Sequence, residues 1–310
     1  MEAIRAHLDP AIRSFDAFGV ADPSELLDAP DLAHGRSEPL PRVNGRERLR
    51  FPLPGTPTDS SGTLTGAPRG AGTGWVVLER WTRVPWSRLL HARLTQPRSA
   101  SVAERTWNLL CHLRRHGVGA PRPLAVGARG RGFVSRQSFL LTAELANAVT
   151  LPEWLETETR PRERALGLRS VGVLLAKLLD ARVRIAGLDA AHLVVQAPRA
   201  GRDACAEESE PSACDAPTVD GFELNRMPSV VLTEVTGAVL VPFVTNEELA
   251  TMLVDLDRTS SMGSPVSTIS TVSNRDRARV LSAALSGFDR ARRARVLAAL
   301  RARGSARRAD

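Results

Sequence analysis

The chain has 310 residues, with 42 lysines and arginines against 34 aspartates and glutamates, which gives a net charge of +8. No apolar run approaches the roughly 20 residues of a membrane-spanning helix, and the N-terminus lacks the apolar core and cleavage site of a secretory signal. Three scattered cysteines are too few for a disulfide framework and too far apart for a metal motif. These properties exclude an integral membrane protein and indicate a soluble protein of a reducing compartment.

The positive charge is concentrated at the C-terminus, where residues 289–310 carry eight arginines. Val296, Leu297 and Leu300 fall there at helical spacing, so the pattern favours a last helix with a solvated basic face. Contact between this helix and an anionic membrane surface is the alternative. No aromatic residues are interleaved with basic ones as in a nucleic-acid platform, so nucleic acid is not favoured as a partner.

The first third of the chain predicts short helical pieces over residues 1–40 and then two strands, Arg46–Leu53 and Gly74–Trp81. Glycines at 70, 72 and 74 precede the second strand without the Gly-Lys-Ser/Thr of a phosphate loop, which favours a flexible connector. A helix follows over Ser99–His116, and Ser101 and Glu104 have the spacing of a capping box at its start.

Further along, residues 138–142 predict a buried strand and residues 143–147 a connector. The remaining predictions are helices at 151–156 and 161–181, a strand at 193–195, a polar insertion at about 198–220, a strand-turn-strand unit at 230–241, and helices at 246–255 and 275–285, the last capped by Asn274. Lys177, the only lysine, lies in the long apolar helix and is expected to extend along its surface without a catalytic role.

Three stretches resemble the bacterial lipopolysaccharide core kinases, the Kdo and heptose kinase family: residues 103–113, 117–127 and 138–145. The resemblance implies an α+β, two-lobed, protein-kinase-like fold, with a small antiparallel-sheet N-lobe carrying one helix and a mainly helical C-lobe. We accordingly expect an N-terminal helical extension (1–40), an N-lobe (41–145) and a C-lobe (146–310) that includes the insertion at 198–220, where Cys205 and Cys214 could pair, and the basic C-terminal helix.

The resemblance also implies where nucleotide would bind. A lysine on the third strand should neutralise phosphates and pair with a helix glutamate, but Glu79 occupies that position and would face Glu104. Arg80 could replace the lysine only after a register shift, because neighbouring strand residues point to opposite faces. The connector residues Glu144 and Leu145 complete the expected nucleotide site. Glu104 is equally well explained as a capping residue.

The catalytic loop departs from the family pattern as well. The catalytic aspartate should stand five residues before His192, where the chain has Gly187, so Asp189 is only a weak stand-in for the base. Glu234 occupies the place of the metal-binding aspartate. The resemblance therefore implies ATP and Mg²⁺, with His192 and Glu234 as metal ligands, only if the protein is active.

Three hypotheses follow, the third being an adaptor whose basic C-terminal helix docks on an anionic membrane face or an acidic partner. The favoured one is a catalytically impaired pseudokinase with a binding or regulatory role and an unidentified protein partner. The alternative is a divergent, active ATP-dependent kinase that phosphorylates a lipopolysaccharide sugar or another small hydroxyl acceptor. The few scattered cysteines favour a cytoplasmic location, and the C-terminal arginines leave peripheral contact at the inner membrane as an option.

Overall fold

The structure is a computed structural model that describes residues 4–29, 32, 36–43, 46–54, 74–82, 84, 101–130, 137–145, 148–196, 228–235, 238–261 and 272–306. The predicted insertion at 198–220, with Cys205 and Cys214, lies outside the described residues, as do Gly70 and Gly72.

The chain divides into two compact units. One comprises Met1–Arg115 and Pro121–Ala146, and the other His116–Ala120 and Asn147–Asp310. The division after residue 146 agrees with the expected lobe boundary. Residues 116–120 differ from the prediction, because the Leu232 amide donates to the Gly119 carbonyl at 2.9 Å and holds this segment in the second unit.

The first unit is built on a six-stranded antiparallel sheet in the order β1-β5-β6-β4-β3-β2. Its strands are β1 (Ile4–Leu8), β2 (Glu38–Val43), β3 (Arg46–Pro52), β4 (Trp75–Trp81), β5 (Pro123–Arg129) and β6 (Gln137–Ala143). One face carries apolar side chains in period-two alternation, including Leu49 and Phe51 of β3 and Val76 and Leu78 of β4, all buried.

The N-terminal residues are part of this unit, so the prediction of a separate helical extension over 1–40 is wrong. Strand β1 pairs with β5, and only a 3-10 helix (Phe15–Phe18) and α1 (Glu25–Asp28) are helical among the described residues before β2. Phe18, Leu26 and Leu27 are buried in the same core as β3 and β4. Without them that apolar face would lie open to water.

Helix α2 (Val102–Arg115) packs against β5 and β6. Leu109, Leu110 and Leu113 are buried and Arg114 and Arg115 are exposed, which is the amphipathic pattern of the sequence. The predicted helix is therefore present.

The second unit is mainly helical. Its elements are β7 (Ala148–Thr150), α3 (Leu151–Thr157), α4 (Pro161–Asp180), β8 (Val183–Ile185), a 3-10 turn (Ala190–His192), β9 (Leu193–Gln196), β10 (Ser229–Leu232), β11 (Ala238–Leu240), α5 (Asn246–Ser261), α6 (Asn274–Ala284) and α7 (Arg290–Ala306). Strands β10, β9 and β7 form one small sheet and β11 and β8 another. The two strands predicted at 230–241 therefore pair with different partners.

Two helix ends differ from the predictions. Helix α5 continues to Ser261, beyond the expected end at Asp255. Helix α6 is capped by Ser273 and not by Asn274, because the Ser273 hydroxyl accepts from the Asp276 amide and the Asp276 carboxylate accepts from the Ser273 amide, both at 3.2 Å. This reciprocal capping box satisfies two backbone donors, which a lone asparagine cap does not.

Helix α4 lies at the centre of the second unit and buries Leu174, Leu175 and Leu178. Lys177 on its other side donates from Nζ to the Gly117 carbonyl at 2.9 Å, so the single lysine has a structural contact. Among the described residues no helix is long and apolar enough to cross a membrane.

Candidate active-site positions

Glu79, at the expected lysine position, is held by two arginines of the neighbouring strand. It lies on β4 directly opposite Arg48 of β3, and its carboxylate is 3.0 Å from Arg46 Nη1 and 3.3 Å from Arg48 Nε. The side chains of Glu79 and Arg46 are only 11% and 7% exposed. Charges at this depth are tolerated because they are paired.

Glu79 is therefore paired with two cations, whereas the expectation from the sequence was that it would face the carboxylate of Glu104. Arg46 and Arg48 are two residues apart on β3, so both side chains lie on the face that carries Glu79. The alternating run Arg46-Glu47-Arg48-Leu49-Arg50 was the sequence signal for it. The residues of this cluster, Glu79, Arg46 and Arg48, are called the β3–β4 charge cluster below.

Arg80 does not substitute for the missing lysine. Its side chain points to the other face of β4, where Nε donates to the Leu26 carbonyl at 2.6 Å and Nη1 lies 4.0 Å from Glu47. Burial lowers the pKa of the Arg80 guanidinium from its ordinary value. The pairing of β4 with β3 and β6 has no register shift, so Arg80 stays on the face opposite Glu79. Its hydrogen bond to Leu26 holds the N-terminal segment onto the sheet.

Glu104 forms the predicted capping box. Its carboxylate accepts from the Ser101 amide at 3.1 Å, and its own amide donates to the Ser101 hydroxyl at 3.1 Å. The structural reading of Glu104 is thereby confirmed, while a role in nucleotide binding stays a prediction.

The connector residue Glu144 is tied into the first unit. Its carboxylate is 2.8 Å from Arg50 Nε, and its amide donates to the Trp75 carbonyl at 3.0 Å. The Arg50 guanidinium also lies 4.3 Å from the centre of the Trp75 ring, a cation–π contact. Leu145, the other predicted connector residue, is half-buried.

In the second unit, the position of the catalytic base is a glycine in a left-handed conformation. Gly187 has φ +65°, and a Cβ built there would meet nothing within 4 Å. Two residues on, Asp189 Oδ1 accepts from the Ala191 amide at 2.8 Å and so caps the 3-10 turn Ala190–His192. The carboxylate predicted as a weak base is therefore engaged with the backbone.

His192 and Glu234 lie next to each other in the structure, while their role as metal ligands stays a prediction. The pairing of β9 with β10 places Leu193 opposite Leu232, and Thr233 donates to the His192 carbonyl from its amide at 2.8 Å and its hydroxyl at 3.0 Å. As a result, His192 Nε2 lies 3.4 Å from Glu234 Oε2, with the Glu234 side chain 8% exposed.

These two residues do not fit a magnesium site. Mg²⁺ prefers six oxygen ligands, and a histidine nitrogen is a poor substitute. Among the described residues, no group of three or more histidine, cysteine, aspartate or glutamate side chains could hold a metal ion. No chemical step is therefore assigned to a metal at His192 and Glu234.

Comparison with known proteins shows similarity to one family and to individual relatives. The sequence model of the "Lipopolysaccharide kinase (Kdo/WaaP) family" matches residues 61–207. A 3-deoxy-D-manno-octulosonic acid kinase of Haemophilus influenzae (strain PittEE) is 30% identical over 111 residues, which are 33% of this chain and 45% of the relative, so the match spans under half of that protein.

A solved structure described as WaaP in complex with acyl carrier protein matches with a TM-score of 0.57 and 17% identity, over 97% of this chain and 98% of that one. At this identity the match supports only a similarity of fold. The expected α+β, protein-kinase-like fold and the resemblance to the lipopolysaccharide kinases are both confirmed.

Proposed function

We propose that this chain, which is similar to the lipopolysaccharide kinase (Kdo/WaaP) family over residues 61–207, is a pseudokinase, which keeps the kinase-like fold for binding or regulation without transferring phosphate. The β3–β4 charge cluster carries the proposal. A kinase needs a cation at position 79 that is free to meet phosphate oxygens. Here a carboxylate is found at position 79, and it forms ion pairs with Arg46 and Arg48.

The state of the catalytic loop supports the same function. General-base catalysis requires a proton-accepting side chain within hydrogen-bond reach of the acceptor hydroxyl, and in kinases this group is an aspartate. Gly187 has no side chain, and the Asp189 carboxylate caps a turn. An aspartate introduced at 187 would also have to adopt the left-handed backbone of that glycine.

A phosphate-transfer assay tests the proposal. The purified protein is incubated with γ-labelled ATP, Mg²⁺ and a lipid A acceptor that carries Kdo, next to Glu234→Ala prepared identically. We expect no transfer above background in either sample. Transfer by the wild-type protein that disappears in Glu234→Ala would contradict the proposal, because a contaminating kinase would label both samples equally.

The alternative function is a divergent, active kinase that phosphorylates a lipopolysaccharide sugar, and one observation favours it. The β3–β4 charge cluster retains a net positive charge, because two arginines face one glutamate. In this reading ATP and Mg²⁺ would be required, and the assay above would give transfer that depends on Glu234.

A further inference from the structure

An exposed apolar loop follows strand β11. Leu240 is 47% exposed and Phe243 is 68% exposed, while Pro242 between them is also exposed. Both ends of the loop are fixed: the Val241 amide donates to the Arg182 carbonyl at 2.9 Å, and Val244 is 4% exposed. The fold therefore holds these apolar side chains in water, which costs free energy unless something covers them.

The start of helix α7 lies against the same loop. Arg292 Nη2 donates to the Val244 carbonyl at 3.4 Å, and its guanidinium lies 3.9 Å from the centre of the Phe288 ring. Arg295 is three residues further along the helix and therefore projects on the same side as Arg292. The exposed Phe243 and the basic helix are thus neighbouring parts of one surface.

The charge of this surface is strongly positive. Arginines occupy positions 290, 292, 293 and 295, in the first two turns of α7, and the first turn contains no acidic residue. Arg290 and Arg295 form no ion pair within the part of the chain that the structure describes. Cations at a helix N-terminus oppose the helix dipole and destabilise the helix, so their concentration here indicates a role other than folding.

Few carboxylates offset these arginines. Asp289 accepts from the Arg292 amide at 2.7 Å as the cap of α7. At the start of α5, Glu248 is 2.8 Å from Arg184, which leaves the exposed Glu247 as the nearest carboxylate along the chain from Phe243. Positive charges therefore outnumber negative ones around the loop.

We propose that the loop Leu240–Phe243 and the arginines of α7 together form a docking surface for an anionic lipid bilayer. The loop inserts its apolar side chains among the acyl chains near the headgroups, and the arginines contact the lipid phosphates. A bilayer suits this surface better than a protein does, because a stable protein interface needs about 800 Å² on each partner, whereas binding to a bilayer adds the apolar area of a small loop to the attraction between arginines and anionic lipids.

Vesicle co-sedimentation of the full chain tests the docking surface. Vesicles of neutral phosphatidylcholine are compared with vesicles that contain 30% anionic phosphatidylglycerol. We expect binding only to the anionic vesicles and a loss of binding at high salt. Replacing Arg290, Arg293 and Arg295 by glutamine should weaken binding by at least about tenfold, and Phe243→Ala should also weaken it.

The matched control replaces Arg162, Arg169 and Arg275 by glutamine, since these are exposed arginines of the same unit. It should bind as the wild-type protein does. Equal binding to neutral and anionic vesicles, an equal loss in the control, or unchanged binding by Phe243→Ala would overturn the proposal. So would size-exclusion data in which Phe243→Ala abolishes a dimer but leaves vesicle binding intact. None of these outcomes depends on phosphate transfer, so they are independent of the proposed function.

Discussion

Residues at the expected nucleotide site form contacts between strands of the sheet. Glu79 forms ion pairs with Arg46 and Arg48 across β3 and β4, which makes residue 79 a structural carboxylate. Restoring the kinase lysine by Glu79→Lys would put three cations at one buried place. Removing one partner of a buried pair costs about 3 to 5 kcal/mol, and reversing the charge should cost at least as much.

We therefore predict that Glu79→Lys lowers the free energy of unfolding by about 3 kcal/mol or more, measured by urea denaturation. The matched control is Glu38→Lys, which reverses a carboxylate of the same sheet that lies 3.3 Å from Arg50 but is 57% exposed. The control should change stability by less than about 1 kcal/mol. A Glu79→Lys protein as stable as the wild type would mean that the charge cluster does not hold the sheet.

Asp276 gives a pH-dependent prediction. Burial would raise the pKa of its carboxyl, but the Ser273 amide and hydroxyl and Arg164 outweigh this effect and hold the pKa below its ordinary value. A carboxyl with a lowered folded-state pKa stabilises the protein above its unfolded pKa, about 3.9, and this stabilisation disappears as the pH falls through the lower, folded value.

Accordingly, Asp276→Asn should be less stable than the wild type at pH 7, and the difference should narrow as the pH falls from about 5 to below 4. Asp257→Asn is the control, because Asp257 is 43% exposed in its 2.7 Å pair with Arg277. Thermal unfolding of the three proteins across this range is the measurement. A difference for Asp276→Asn that stays constant with pH would contradict the assigned ion pair.

At the level of elements, the contact of α4 with α6 depends on one glycine. A Cβ at Gly172 would lie 2.5 Å from both Ala283 Cβ and the Val280 carbonyl oxygen, so the two helices meet at a distance that only glycine permits. In an exposed helix, alanine is more stabilising than glycine by about 1 kcal/mol. At position 172 the overpacking should instead make alanine less stabilising than glycine.

We predict that Gly172→Ala destabilises the protein by about 1 to 3 kcal/mol. Gly287→Ala is the control, since a Cβ there would meet nothing within 4 Å, and it should be neutral. Denaturant midpoints of both variants are the measurement, and a stabilised Gly172→Ala would show that the helices are farther apart than described.

Element boundaries were predictable where the periodicity is strong and capping is local. Helix α2 and its capping box follow from residues 101–116 alone. Strand β1 was missed although Ile4, Ala6 and Leu8 alternate with polar residues, because a five-residue strand on a sheet edge is specified by its partner β5. The end of α5 was misjudged because its last turn is polar and its helical state is not visible in apolar spacing.

The site was predictable only in part, for a related reason. Residues 79, 187 and 234 could be placed from the resemblance, since each lies in a short, locally ordered segment. The partners of Glu79 come from β3, which a long connector separates from β4 in the sequence. Whether Arg46 and Arg48 share a face with Glu79 therefore depends on the register between the two strands. The capping role of Asp189 depends on a single 3-10 turn, which is too short to produce a periodic pattern of apolar residues in the sequence.

At the level of the whole molecule, the N-terminal segment is an integral part of the first unit. Phe18 is 1% exposed in the core that β3 and β4 share. Truncating a buried phenylalanine to alanine costs about 3 to 5 kcal/mol, so Phe18→Ala should be strongly destabilised in urea denaturation. Phe243→Ala removes the same atoms from a side chain that is 68% exposed and should leave stability unchanged. If both variants were as stable as the wild type, residues 4–29 would not contribute to the core of the first unit.

A carboxylate replaces the phosphate-binding lysine and engages Arg46 and Arg48, so the proposed loss of phosphate transfer should include a loss of nucleotide binding, which a thermal-shift titration with ATP measures. A ligand at 100 times its Kd stabilises a protein by about 2.7 kcal/mol, which is a readily measured rise in Tm. We predict no rise in Tm up to millimolar ATP, with or without Mg²⁺. A saturable, magnesium-dependent rise in Tm that is lost in Glu234→Ala would contradict it.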